Sequence, residues 1–114
     1  GQIYPAVKEG DVVVFATPLY YWNMSGQIRI AIDRLFALEE GDGNLLRGHG
    51  RASVLLMAAE GHGFEDVLVY YDHLMEHLRW KNLGHVLAGG NMNVGDIQDK
   101  PELRQAYELG KSIR

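Results

Sequence analysis

The 114-residue chain contains no cysteine. Within it, disulfides, thiolate-held iron–sulfur clusters, thiol nucleophiles and redox CxxC pairs are therefore excluded. Positive charge is in deficit, with 11 Lys and Arg against 15 Asp and Glu and a net charge of -4. Nucleic acid and anionic membrane surfaces are disfavoured as partners, because both recruit basic surfaces. No apolar run approaches the ~18 residues that a membrane-spanning helix needs. The N-terminus shows no basic stretch followed by an apolar core, so no secretory signal is read and a cytoplasmic location is expected.

What is present is ordinary globular material, 46% hydrophobic and 23% charged. A single domain over residues 1–114 is expected, able to bury roughly 65% of its unfolded surface without a metal or disulfide. Glycine is in excess, 14 of 114 residues, and much of it follows apolar runs.

Those runs alternate with helical periodicity. Val12 to Ala16 and Ala52 to Ala58 are β-branched and apolar without polar interruption, as in strands of a parallel sheet buried on both faces. Gly84 to Ala88 reads as a third, shorter strand. After the first, Met24, Ile28, Ala31, Ile32, Leu35 and Leu38 form one helical stripe with Ser25 as N-cap, and Gly41 to Asn44 close the unit. After the second, Phe64, Val67, Leu68, Tyr71, Leu74, Met75 and Leu78 form another over about 64–80. After the third, Asp99 and Glu102 have capping-box spacing ahead of a stripe of Leu103, Ala106, Tyr107, Gly110 and Ile113. Ile3 to Lys8 resemble the tail of a helix and Glu9 to Asp11 a turn into the first strand, as though the chain began within a βαβ unit. Repeated βα units with short loops predict an α/β fold on a parallel sheet.

Ligands of such sheets bind beyond the carboxyl ends of the strands. Three loops lie there: Thr17 to Gly26, Ala59 to Gly63, and Gly89 to Ile97. The first places Tyr20, Tyr21 and Trp22 beside a helix start, where flat apolar surface meets unpaired amide donors. That combination suits a flat heteroaromatic ligand; the same aromatics would equally cap the core or line a subunit contact. His73 and His77 are four apart on one helix face, yet no third ligand is evident, and no metal is expected. Gly89, Gly90 and Gly95 lack phosphate-loop spacing. Glu60 and Asp96 form a carboxylate pair only if their loops meet, and Glu39, Glu40 and Asp42 read as a solvated helix end.

Asp11 through Thr17-Pro18-Leu19-Tyr20, Ser25-Gly26-Gln27-Ile28-Arg29 and Asp33-Arg34 closely resemble the NADPH-dependent FMN reductase family of flavodoxin-like proteins. Arg29 stands where that pattern usually has Lys. Gly95-Asp96-Ile97, Pro101-Glu102 and Ala106 to Lys111 resemble its C-terminal end. The resemblance implies a flavodoxin-like three-layer sandwich, here without the first two strands, their helices and the phosphate-holding loop that follows strand one. It implies FMN as cofactor, NAD(P)H as co-substrate and a quinone or other small-molecule electron acceptor. Thr17, Pro18, Leu19, Tyr20, Tyr21, Trp22, Asn23 and Met24 would run along the flavin ring, largely through backbone amides, with Glu60, Gly61 and His62 on its other side. No catalytic acid or base is implied, because the flavin carries the chemistry. The alternatives are an electron-carrier or binding module without reductase turnover, and an inactive self-associating fragment. An iron–sulfur subtype is disfavoured by the missing cysteines. A sheet cut at its first strand would leave an unpaired edge and an open face, so a homo-oligomer, most simply a dimer, is expected.

Overall fold

The computed structural model describes residues 5–7, 10–40, 44 and 46–113. The three apolar runs form one parallel sheet, β1 (Val12–Pro18), β2 (Ala52–Ala58) and β3 (Lys81–Ala88), in the order β1-β2-β3. Between them lie α1 (Gly26–Arg34), α2 (Phe36–Glu40) and α3 (Glu65–Leu78), and after β3 come a 3-10 turn (Asp96–Asp99) and α4 (Pro101–Ser112).

Sequence and structure differ at several boundaries. The stripe from Met24 to Leu38 is split at Leu35, whose amide donates to both Ala31 O (3.3 Å) and Ile32 O (3.0 Å), tightening the turn. The long helix ends at Leu78 rather than Trp80, because Arg79 adopts the left-handed conformation at φ 56°. Trp80 is thereby turned into the core and its indole Nε1 donates to Leu46 O at 2.9 Å. Strand β3 begins three residues earlier than Gly84, because a bulge places Ser53 opposite Asn82 but Val54 opposite Gly84. The capping box does not form. Lys100 occupies the N-cap of α4 with no side-chain cap bond, Asp99 belongs to the preceding 3-10 turn, and Pro101 opens the helix. Residues 5–7 are helical, as the apparent helix tail predicts. Ile3, Tyr4, Lys8 and Glu9 in that segment, and the Gly41-Asp42-Gly43 turn with the Asp42 acid, lie outside the described residues.

The core lies between one sheet face and helices α1 to α3. Phe15, Leu55 and Met57 meet Met24, Leu35, Leu38, Phe64, Val67, Tyr71, Met75 and Leu78 there, all buried. Phe15 and Tyr71 pack edge-to-face at 6.3 Å. Among the described elements the opposite face carries α4 alone, which lies over β3, with the Leu109 side chain 3.8 Å from where a Cβ on Gly84 would stand. Strand β1 was expected to be buried on both faces, and it is not. Phe15 and Thr17 are covered, whereas Val14 is 51% exposed and Ala16 is exposed. No described helix is long and apolar enough to cross a membrane.

Candidate functional site

The carboxyl ends of all three strands point to one edge, and the loops leaving them are joined by backbone bonds. Leu19 N donates to Ala58 O (3.3 Å), and Ala59 N to Ala88 O (2.9 Å). Gly90 N donates to Glu60 O (2.8 Å), and Asn91 N to Ala59 O (2.9 Å). A cavity of about 680 Å³ opens on this edge. Pro18, Leu19, Tyr20, Tyr21 and Trp22 form one side of it and Ala58, Ala59, Glu60, Gly61 and Gly63 the other, with Asn91 joining them.

The first wall is held by a tight turn. Tyr20 N donates to Asn23 O at 2.8 Å and Asn23 N to Tyr20 O at 3.0 Å. Asn23 Oδ1 accepts from Met24 N at 2.7 Å, Met24 is buried, and Ser25 N donates to Thr17 Oγ1 at 3.0 Å. Ser25 Oγ in turn accepts from Ile28 N at 3.4 Å, the N-cap that the sequence predicts. Trp22 lies over the second wall, its Cδ1 and Nε1 3.7 Å from the position of a Gly63 Cβ.

The third loop is fixed from behind. Lys100 Nζ donates to Gly89 O and Gly90 O, both at 2.7 Å, and Asn91 Nδ2 to Ala88 O at 2.7 Å. The Asp96 carboxylate accepts from Asn93 N (2.9 Å) and Met92 N (3.0 Å), which together hold it below its ordinary pKa.

Of the residues expected along a ring, Pro18, Leu19, Tyr20, Tyr21, Trp22, Glu60 and Gly61 line the cavity. Thr17 and Met24 stand behind it in the buried interior, and Asn23 makes the turn. His62 packs its ring against Gly89 and Gly90 instead of joining the lining. Asn91 was not singled out from the sequence; its one signal is its place in the third edge loop. Glu60 lines the cavity while Asp96 caps its own loop, and His77 contacts Glu39 at 2.6 Å across to α2.

Aromatic surface, exposed loop backbone and a strand-end position thus meet in one cavity. The model of the NADPH-dependent FMN reductase family matches residues 1–96. The chain belongs to that family. It is 30% identical over 107 residues to an iron–sulfur flavoprotein of Archaeoglobus fulgidus, covering 94% of this chain but 46% of the relative, so it spans about half of that protein's length. The Trp repressor binding protein from Bacillus subtilis superimposes with a TM-score of 0.82 over 99% of this chain and 76% of its own, at 20% identity. A tryptophan halogenase from Streptomycin violaceusniger does so at 0.72 over 96% and 70%, at 16% identity. These likenesses show a flavodoxin-like α/β fold.

Proposed function

We propose that the strand-edge cavity holds the isoalloxazine ring of FMN. We further propose that the protein is an NAD(P)H oxidoreductase that passes hydride to the flavin and electrons on to a quinone or another small acceptor. The carrying observation is the cavity itself, with the Tyr20–Trp22 wall facing the Ala59–Gly63 loop.

The residues present fit the ring. The volume lies within the range of ~300–1,000 Å³ usual for cofactor sites. Nothing lies within 4 Å of where a Cβ on Gly61 would stand, so that backbone is open to close approach. Leu19, Tyr20 and Trp22 supply the apolar face, and Gly61 and Gly63 the backbone edge. When bound, the flavin supplies hydride-accepting chemistry. The chain's own residues bind and orient the ring, and the closed backbone network of Ala59, Glu60, Gly90 and Asn91 keeps the second wall from yielding. The relative's name includes an iron–sulfur centre, whose thiolate ligands these 114 residues do not supply.

Among the described lining residues Glu60 carries the one charge, so the ring rather than the phosphate dominates affinity. FMN should exceed lumiflavin by less than about tenfold, the ~1.4 kcal/mol of one modest charge-assisted bond. The test is quenching of flavin fluorescence on titration with the chain. Trp22→Ala and Tyr20→Ala should each weaken lumiflavin by about 2- to 10-fold, while His73→Ala on the exposed face of α3 should not. Absence of quenching for both flavins overturns the proposal. Submicromolar FMN beside weak lumiflavin overturns the ring-dominated part of it.

Among the described residues β1 is an edge strand and one sheet face carries α4 alone, which supports self-association as a further part of this reading. A second copy would cover Val14, Leu103 and Tyr107, which are 51%, 49% and 60% exposed. Sedimentation across a dilution series checks it, and a monomer at all concentrations refutes it.

A further inference from the structure

The turn at the cavity mouth is built against the preferences of its residues. Tyr21 and Trp22 have φ of 47° and 63°, and the doubly bonded Tyr20–Asn23 pair closes around them. Two consecutive left-handed residues define a mirror-image turn of the type that normally takes Asn-Gly. A side chain with a Cβ is strained there by roughly 1–2 kcal/mol per residue. Such strain persists where the surroundings impose it, and it collects at ligand sites.

For Trp22 the compensation is visible, because its indole lies against Gly63. For Tyr21 it is not. Tyr21 is 93% exposed, so its ring touches almost nothing, although it stands on the rim of the same cavity. A strained backbone therefore presents a large bare aromatic face beside the ring site. Folding gains nothing from that arrangement; a ligand that covers the face would.

We infer that Tyr21 is the platform for the second flat reactant, the conjugated ring of a quinone or a nicotinamide, on the open side of the cavity. This rests on the flavin reading above. Trp22, packed on Gly63, forms with the Ala59–Gly63 loop the inner wall that serves the first ring, whereas Tyr21, on the rim, is exposed to water and serves the molecule that arrives from it. Tyr21 is a specificity-determining residue, acting through its ring face rather than its hydroxyl.

The experiment compares the wild-type chain with Tyr21→Gly and Tyr21→Phe. Thermal melting is read first. Binding of lumiflavin follows, and then binding of menadione and of oxidised nicotinamide riboside to the lumiflavin-loaded chain. Both probes are oxidised, so binding is read without turnover, and the two arms show which ring the platform takes. Tyr21→Gly should raise the melting temperature by about 2–5 °C, since relief of about 1–2 kcal/mol of strain outweighs the roughly 0.4–1 kcal/mol that glycine costs through the unfolded chain, and no packing is lost. It should weaken menadione or nicotinamide riboside by about 2- to 10-fold, and more than it weakens lumiflavin. Tyr21→Phe should match wild type in both bindings.

An unchanged or lower melting temperature overturns the inference. So do equal losses for lumiflavin and the second ring, second-ring affinities that do not change, or a loss of self-association as the one effect. If the wild-type chain fails to bind lumiflavin, the flavin reading itself falls, and the melting shift alone still reports the strain.

Discussion

The hydroxyl of Tyr71 donates to Ser53 Oγ at 2.8 Å across the interface between α3 and β2, with both residues 0% exposed. It is a polar bond in the centre of the core, and burial raises the Tyr71 pKa while the Ser53 bond opposes that rise. Removing one partner strands the other away from water. Tyr71→Phe and Ser53→Ala should each destabilise the chain by about 1–3 kcal/mol, and the double variant should cost less than the sum of the two. Urea denaturation of the three variants measures this. Additive losses would mean that the bond contributes nothing to folding.

Phe15 and Val14 are neighbours on β1 with opposite fates. Phe15 is buried against Tyr71, and Phe15→Ala should cost about 3–5 kcal/mol. Val14 faces the open side of the sheet, so Val14→Asp should cost only about 1 kcal/mol as a monomer, the range of β-propensity. The same variant should weaken self-association, because an aspartate would be carried into the covered face. Melting curves and sedimentation together read both effects. A Val14→Asp chain that fails to fold would show that this face is filled.

Those two residues also mark how far the sequence alone reached. An uninterrupted Val12–Ala16 run specifies a parallel strand but not how many of its faces are covered, because coverage is decided by elements elsewhere in the chain. Helical stripes located α1, α3 and α4 from spacing. They missed the break at Leu35 and the left-handed Arg79, since both are set by local hydrogen bonds that periodicity does not register. In the site, the aromatic loop was legible from residue type and position. The turning of His62 toward Gly89, and the entry of Asn91 into the lining, depend on how three loops fit together at the edge.

Asp96 provides a titratable pin on the third loop. Its carboxylate accepts from the Asn93 and Met92 amides, and these bonds lower its pKa from 3.8. A depressed folded-state value means that the stabilisation is complete above the unfolded pKa and is lost as pH falls through the folded one. The Met92 and Asn93 amide shifts should therefore titrate together at a midpoint below 3.8. Amide NMR across an acid titration follows them, and Asp96→Asn should abolish the step. A midpoint at or above the ordinary value would show that the carboxylate is not bonded as described.

Gly89 is the last residue before the third loop turns over His62. A Cβ there would collide with the Gly61 carbonyl oxygen and with the His62 imidazole. The imidazole can swing away, whereas the carbonyl belongs to the cavity wall and is tied through its neighbours, with Glu60 O accepting from Gly90 N at 2.8 Å. Gly89→Ala must therefore displace the Ala59–Gly63 backbone or the end of β3, at a cost typical of overpacking, about 1–3 kcal/mol. Combining it with His62→Ala removes one of the two obstacles and should recover only part of the loss. If the cavity is the ring site, Gly89→Ala should also weaken lumiflavin although Gly89 does not line it. Denaturation midpoints and flavin quenching on the single and double variants test both effects. Full recovery in the double variant would show that the histidine, not the carbonyl, sets the approach of these loops.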